Sequence, residues 1–397
     1  MRVIRCATAL VLLLTAPLSF AAETFDQCLD ALRAHAASQG IGADTRERAF
    51  ASIRQQQRVL ELDASQPEFI RTFWQYFEPR VSLQRVEKGR ELLAKHRPLL
   101  QEIHAEHGVR PEYLVALWGM ETNYGSFLGG MPVLDSLATL ACDQRRSEFF
   151  RSELIEALRI LERDRFALER MVGSWAGAMG HTQFMPSTFT RHALDYDGDG
   201  RRDLWGSLPD AFASSANYLR AAGWRDGERW GREVRVPSSY DWGQSGLDLQ
   251  RSLREWRALG LRAADGSELP DADMQASLLL PQGHRGPAFL VYHNFRVLMR
   301  WNNSTNYALA VGHLADRIAG LGQLHAQPPG EHQALSRAQV LEMQQRLNTL
   351  GFDAGEPDGI VGRQTRAAIR AFQREAGLPA DGYADHDLWK ALQASNQ

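Results

Sequence analysis

One carboxylate in this chain sits where a carboxylate is costly. In the stretch Arg110-Pro111-Glu112-Tyr113-Leu114-Val115-Ala116-Leu117-Trp118-Gly119-Met120-Glu121-Thr122-Asn123-Tyr124-Gly125, Pro111 suits a first helical turn and Gly125 the position just past a helix end. Leu114, Leu117, Trp118 and Glu121 then share one face, so an acid lies on an apolar stripe in the last turn. Desolvation and the negative helix end both disfavour its charged form, and its pKa is expected to rise. A carboxyl that keeps its proton near neutral pH is what general-acid cleavage of a glycosidic bond requires. The alternative is a structural Glu paired with a buried Arg. A second segment, Gly173 to Ser187, holds three glycines and two alanines, which let backbone approach a flat object such as a sugar ring. A tight helix crossing would ask for the same small residues. His181, within it, reads on its own as a surface or satisfied histidine. A third, Asp195-Tyr196-Asp197-Gly198-Asp199-Gly200, starts like an EF-hand loop, with oxygen ligands at positions 1, 3 and 5 and Gly at 6. Position 12 is Gly206, so a regular EF-hand fails. A solvated acidic turn capped by Arg201 and Arg202 is the alternative.

The elements that must position these groups are mostly helices. From Thr24 to about Leu161 apolar residues recur at three- and four-residue steps and Gly is sparse. Between about 228 and 300 the texture changes to short strands, at Val234/Val236, Leu278–Leu280 and Phe289–Tyr292. Helical texture returns at Tyr307–Ile318. Residues 323–335, with Pro328-Pro329-Gly330, read as a linker. Residues 336–397 form a separate unit of three short helices, the second with an expected N-cap at Thr365.

Residues 1–21 have the pattern of a cleavable secretory signal: two arginines, an apolar run of a dozen residues or so, then Ser19-Phe20-Ala21. That run is shorter than the roughly 20 residues a spanning helix needs, so no membrane anchor is expected. Loss of Arg2 and Arg5 takes the net charge from -3 to -5, and no basic stripe remains to argue for nucleic acid. With 44% hydrophobic and 23% charged residues the composition is that of a soluble globular protein. Cys28 and Cys142 are the thiols left after the signal. In an oxidising compartment they form one disulfide or serve as two small buried apolar groups.

Glu-Thr-Asn-Tyr-Gly at 121–125, followed by Gly-Ala-Met-Gly-x-x-Gln-Phe-Met-Pro-Ser at 177–187, resembles the membrane-bound lytic transglycosylase B family of peptidoglycan-cleaving enzymes. The likeness runs from Gln66-Pro67-Glu68-Phe69 to Asp316. It implies a mainly α protein with a lysozyme-like helical core over 22–322, carrying the small β insertion. By the same resemblance Glu121 is the single acid/base, Ser174 and Gln183 lie beside it, and Asn302 and Tyr307 line the cleft. Trp301 stands where the family more often has Tyr; it loses the hydroxyl and keeps an aromatic face for stacking a sugar. Arg145 and Arg146 fit the pattern either as cleft residues or as structural ion pairs. The acidic loop would be closed by Asp210, giving Asp195, Asp197, Asp199 and Asp210 as ligands of a structural calcium ion, with no cofactor for the chemistry. Glu121 would protonate the oxygen between N-acetylmuramic acid and N-acetylglucosamine, assisted by the substrate's acetamido group. It would then take a proton from the muramyl 6-hydroxyl, closing a 1,6-anhydro ring without water. The terminal unit, through Pro357 to Gln373, is similar to a three-helix peptidoglycan-binding domain. The implied setting is the periplasm, with glycan strands as partner and cell-wall synthesis or division proteins as further partners. A hydrolytic muramidase and a non-catalytic wall-binding scaffold are the competing readings.

Overall fold

A computed structural model describes residues 24–65, 71–143, 146–328 and 334–395. The signal segment, Gln66–Phe69, Arg145 and Pro329-Gly330 lie outside the described residues.

The helix Pro111–Thr122 is the hub. Tyr113 through Gly119 are all buried, because helices Leu83–Lys95 and Thr305–Ile318 pack on it from different sides. An all-round apolar helix belongs in the middle of a core, and Leu114, Leu117, Phe212, Phe295, Leu309 and Leu314 share that core. A second core gathers helices Val133–Ala141 and Ser147–Asp164 with the N-terminal helix Phe25–Ser38. Cys28, on the N-terminal helix, is disulfide-bonded to Cys142, at the end of Val133–Ala141. The second core also carries a two-stranded ribbon, β1 (Met131–Pro132) and β2 (Val172–Gly173), from which the glycine-rich segment leaves.

The insertion is an antiparallel five-stranded sheet of β3 (Gly231–Arg235), β4 (Arg251–Ser252), β5 (Arg262–Ala263), β6 (Gln275–Leu279) and β7 (Ala288–Val291), in the order β4-β6-β7-β3-β5. It has its own core around Trp256, Leu278, Leu290 and Tyr292. It is tied to helix Thr305–Ile318, which packs on the hub, through Asp316, whose carboxylate accepts from Trp230 Nε1 at 2.9 Å and Arg229 at 2.8 Å. β7 leads through Tyr292 into helix His293–Trp301, which delivers Trp301 to the site.

The terminal unit has helices Arg337–Thr349, Arg363–Glu375 and His386–Ala394 around Met343, Leu347, Ile369 and Leu392. The expected N-cap is corrected: the second helix starts after Gly362. Thr365 is buried inside it, donating to Ala354 O at 3.1 Å and accepting from Gln344 Nε2 at 3.1 Å. The linker composition also gave no sign that the unit would be docked. Buried Asp381 accepts from the backbone N–H of His284 (2.8 Å) and meets its Nδ1 (2.6 Å), and Arg285 reaches Asp385 and Asp387. The linker itself is held at its start, where Glu233 accepts from His325 N and Ala326 N.

Candidate active site

Glu121 occupies the last turn of the hub helix, partly buried. The chain leaves the helix through three consecutive left-handed residues, Asn123, Tyr124 and Gly125, with φ of 50°, 60° and 78°. Only one of them is the glycine that such backbone favours. The other two are held by Tyr124, whose hydroxyl donates to Arg85 O at 2.7 Å and whose ring lies on Gly119. A Cβ there would come within 2.6 Å of that ring. Arg85 in turn donates to Gly119 O at 2.9 Å. The helix end that carries the acid is therefore fixed from below.

Two uncharged donors meet Glu121 Oε1. Trp301 Nε1 donates at 2.9 Å, and the buried Tyr307 hydroxyl makes a very short bond to the same oxygen. Burial, then the facing Glu121 charge, push the Tyr307 phenol well above its ordinary range, so it stays a donor at any working pH. Trp301 is set by aromatic packing, with its ring centroid 5.3 Å from Phe184 and 5.1 Å from Tyr218. The indole N–H thus supplies a donor where the family more often carries a hydroxyl. Phe184 belongs to the glycine-rich segment, so that segment, the late aromatic pair and the acid converge.

The family model for the transglycosylase SLT domain matches residues 24–316. The chain belongs to that family. A peptidoglycan binding domain model matches residues 336–392. SltB3 of Pseudomonas aeruginosa, solved in complex with a NAG-anhNAM-pentapeptide, is 48% identical with a TM-score of 0.91, covering 94% of this chain and all of that one. The membrane-bound lytic murein transglycosylase B of Escherichia coli K12 is 34% identical over 59% of this chain and 64% of its own length, just under two thirds. The E. coli lytic transglycosylase Slt35 in complex with calcium is 29% identical with a TM-score of 0.63, covering 74% of this chain and 92% of that one.

In this transglycosylase-family chain two of the other expected site residues, Ser174 and Gln183, hold backbone. Ser174 Oγ accepts from Ala178 N at 3.0 Å, closing a turn in which Gly177 N donates to Ser174 O. Gln183, itself left-handed at φ 50°, donates through Nε2 to Leu128 O and Gly180 O. Asn302 is exposed, at the C-terminal cap of the Trp301 helix. Arg146 forms an ion pair with Asp63 and lies over the Phe150 ring. In the acidic loop, oxygens of Asp195, Asp197 and buried Asp210 come within 4.8 Å of one another. Asp199 is not in that group; its carboxylate accepts from Arg201 N at 2.9 Å. Asp210 accepts from the backbone of Tyr196, Asp197 and Asp203. Burial, with the Asp197 charge adding to it against those hydrogen bonds, raises its pKa. Trp118 Nε1 and Thr122 Oγ1 donate to His181 Nδ1 and His181 O beside the acid, contacts the sequence did not suggest. Their spacing of four, flanking Glu121 on one helix, was the available signal.

Proposed function

We propose that the protein is a lytic transglycosylase that cleaves the bond between N-acetylmuramic acid and N-acetylglucosamine in peptidoglycan and leaves 1,6-anhydro ends. The observation that carries this is the single carboxyl of Glu121 oriented by two neutral donors. Trp301 and Tyr307 hold Oε1 in place, and the carboxylate left after proton transfer keeps both bonds. One carboxyl can then act first as acid and later as base without a change of place, whereas hydrolysis by paired carboxylates needs a second acid to hold water. That SltB3 was solved with an anhydro-muramyl product supports the reading. Ser174, Gln183, Asn302 and the exposed arginine side chain at 146 are assigned to substrate contact around this carboxyl, and the aromatic face of Trp301 to sugar stacking. The terminal unit would add affinity for the wall by raising the local concentration of enzyme. Among the described residues no helix is long and apolar enough to cross a membrane; a periplasmic setting after cleavage at residue 21 is assigned from the signal-like pattern of residues 1–21. To test the reading, purified sacculi are digested and the soluble fragments treated with borohydride. Anhydro ends resist reduction; fragments that are all reducible would make the protein a hydrolytic muramidase, and no release at all a scaffold.

Tyr307→Phe keeps the packing and removes one donor. A hydrogen bond to a charged group contributes about 1.5–3 kcal/mol, so turnover is expected to fall roughly 10- to 150-fold. Unchanged turnover would remove Tyr307 from the acid's support.

Asp195, Asp197 and Asp210 form an all-oxygen donor set of like charge, which fits a hard cation such as calcium, and we assign them to a structural calcium ion. At calcium about 100 times its dissociation constant, binding adds about 2.7 kcal/mol. Chelator is therefore expected to lower the melting temperature of the parent and leave Asp195→Asn/Asp197→Asn unaffected. Identical parent melting curves with calcium and with chelator would leave only an acidic turn.

A further inference from the structure

His181 is a histidine that the mechanism above does not use, yet its ring and its backbone are both held. Its Nδ1 accepts from Trp118 Nε1 at 3.0 Å, and the two rings meet edge to face with centroids 5.7 Å apart. Its carbonyl accepts from Thr122 Oγ1 at 3.2 Å, and that hydroxyl accepts from Gly125 N at 3.0 Å. Its own N–H donates to Leu204 O at 2.8 Å. Gly125 packs close against the ring: a Cβ there would lie 2.5 Å from His181 Cε1. Trp118 and Thr122 flank Glu121 on the same turn, so this ring holds the helix end that aims the acid.

We propose that His181 is a positioning residue that works only as the neutral ring, with its proton on Nε2, and that its protonation sets the acid limit of the activity. An indole N–H only donates, so its partner must be a bare imidazole nitrogen. The imidazolium carries N–H at both positions. Protonation would set two donors against each other at hydrogen-bond distance, and a shift of the ring would press on Gly125 or release the Trp118 turn. A misplacement of about 1 Å at a reacting group can cost on the order of 10²-fold in rate.

The surroundings fix the direction. Burial holds the His181 pKa below its ordinary value, opposed by the Asp203 carboxylate next to Leu204. From the helix before the hub, His96 meets Trp118 edge-on at 6.1 Å, and burial and then Lys95 lower its pKa too. Helix Leu208–Ala221 faces the cluster with Ala211, Phe212 and Ser215, and its Asp210 is engaged by the acidic loop. Glu121 is the remaining titratable group on the hub turn. As general acid, Glu121 loses activity as pH rises; His181 removes activity as pH falls. The proposal rests on the transglycosylase reading above, but its test is separate from it.

In His181→Asn the amide oxygen stands in for Nδ1 and does not titrate. This variant is expected to restore the turnover that His181→Ala loses, about 10²-fold, and to stay active below the pH at which the parent fails. An Asn variant that keeps the parent's acid limb would overturn the proposal. In the parent itself, the Trp118 indole N–H resonance, assigned with Trp118→Phe, should shift with the same midpoint as the acid limb. A resonance indifferent across that limb would also overturn it. Borohydride-resistant ends from the Asn variant keep this outcome distinct from any failure of the transglycosylase reading.

Discussion

The Glu121→Gln protein is expected to fold and melt like the parent yet to turn over at least roughly 10²–10⁴-fold more slowly, the range attributed to general acid–base catalysis. The amide oxygen can take the place of Oε1 and still accept from Trp301 Nε1 and the Tyr307 hydroxyl, so the surrounding packing has no reason to change. What is lost is the transferable proton. The same substitution removes the base that would open the way to the 6-hydroxyl, so both halves of the reaction suffer. Release of soluble fragments from sacculi, followed as a rate at saturating substrate, reads this directly. Turnover within a few-fold of the parent would end the assignment of Glu121.

Much of this site was legible because its signals are local. Pro111 and Gly125 bracket the helix, and the apolar repeat between them puts Glu121 on a buried stripe. Its partners were legible only through the family resemblance, since Trp301 and Tyr307 arrive from 180 and 186 residues away, beyond the reach of any periodicity. Tyr124 shows a second limit. Nothing in a single sequence marks a tyrosine for a left-handed backbone; the hydroxyl bond to Arg85 O and the empty side of Gly119 make it possible. At Thr365 a local rule lost to tertiary structure: its hydroxyl satisfies buried Gln344 and Ala354 O rather than capping a helix. β4 and β5, two residues each, are too short to show alternation. The docking of the terminal unit rests on Arg285, Asp381, Asp385 and Asp387, charges that read as solvated until a partner faces them. Asp199 fits the acidic-loop pattern by spacing, and its carboxylate accepts from Arg201 N.

Removing the disulfide is expected to have the largest effect on stability. Cys28 and Cys142 are 114 residues apart, and closing a loop of that order contributes about 4.7 kcal/mol in the chain-entropy model. That is a large part of the roughly 5–15 kcal/mol that holds a domain folded. The bond pins helix Phe25–Ser38 to the second core, which carries β1, β2 and the glycine-rich segment. Cys28→Ser/Cys142→Ser should therefore unfold at distinctly lower denaturant, with a loss of about 2–5 kcal/mol. Activity measured in the cold should persist, because the helices that carry Glu121 and Tyr307 belong to the other core. The denatured, unreduced parent should titrate without free thiol. Two free thiols, or a double variant as stable as the parent, would contradict the disulfide's role.

The central claim is that one carboxyl cleaves the glycan and the substrate's own hydroxyl, not water, completes the reaction. Sacculi digested in water enriched in heavy oxygen, with the fragments weighed by mass spectrometry, test it most directly. The new muramyl ends should be lighter than reducing ends by one water and carry no heavy oxygen. Ends of full hydrolytic mass that have taken up one heavy oxygen each would show that water attacks, and would contradict the claim.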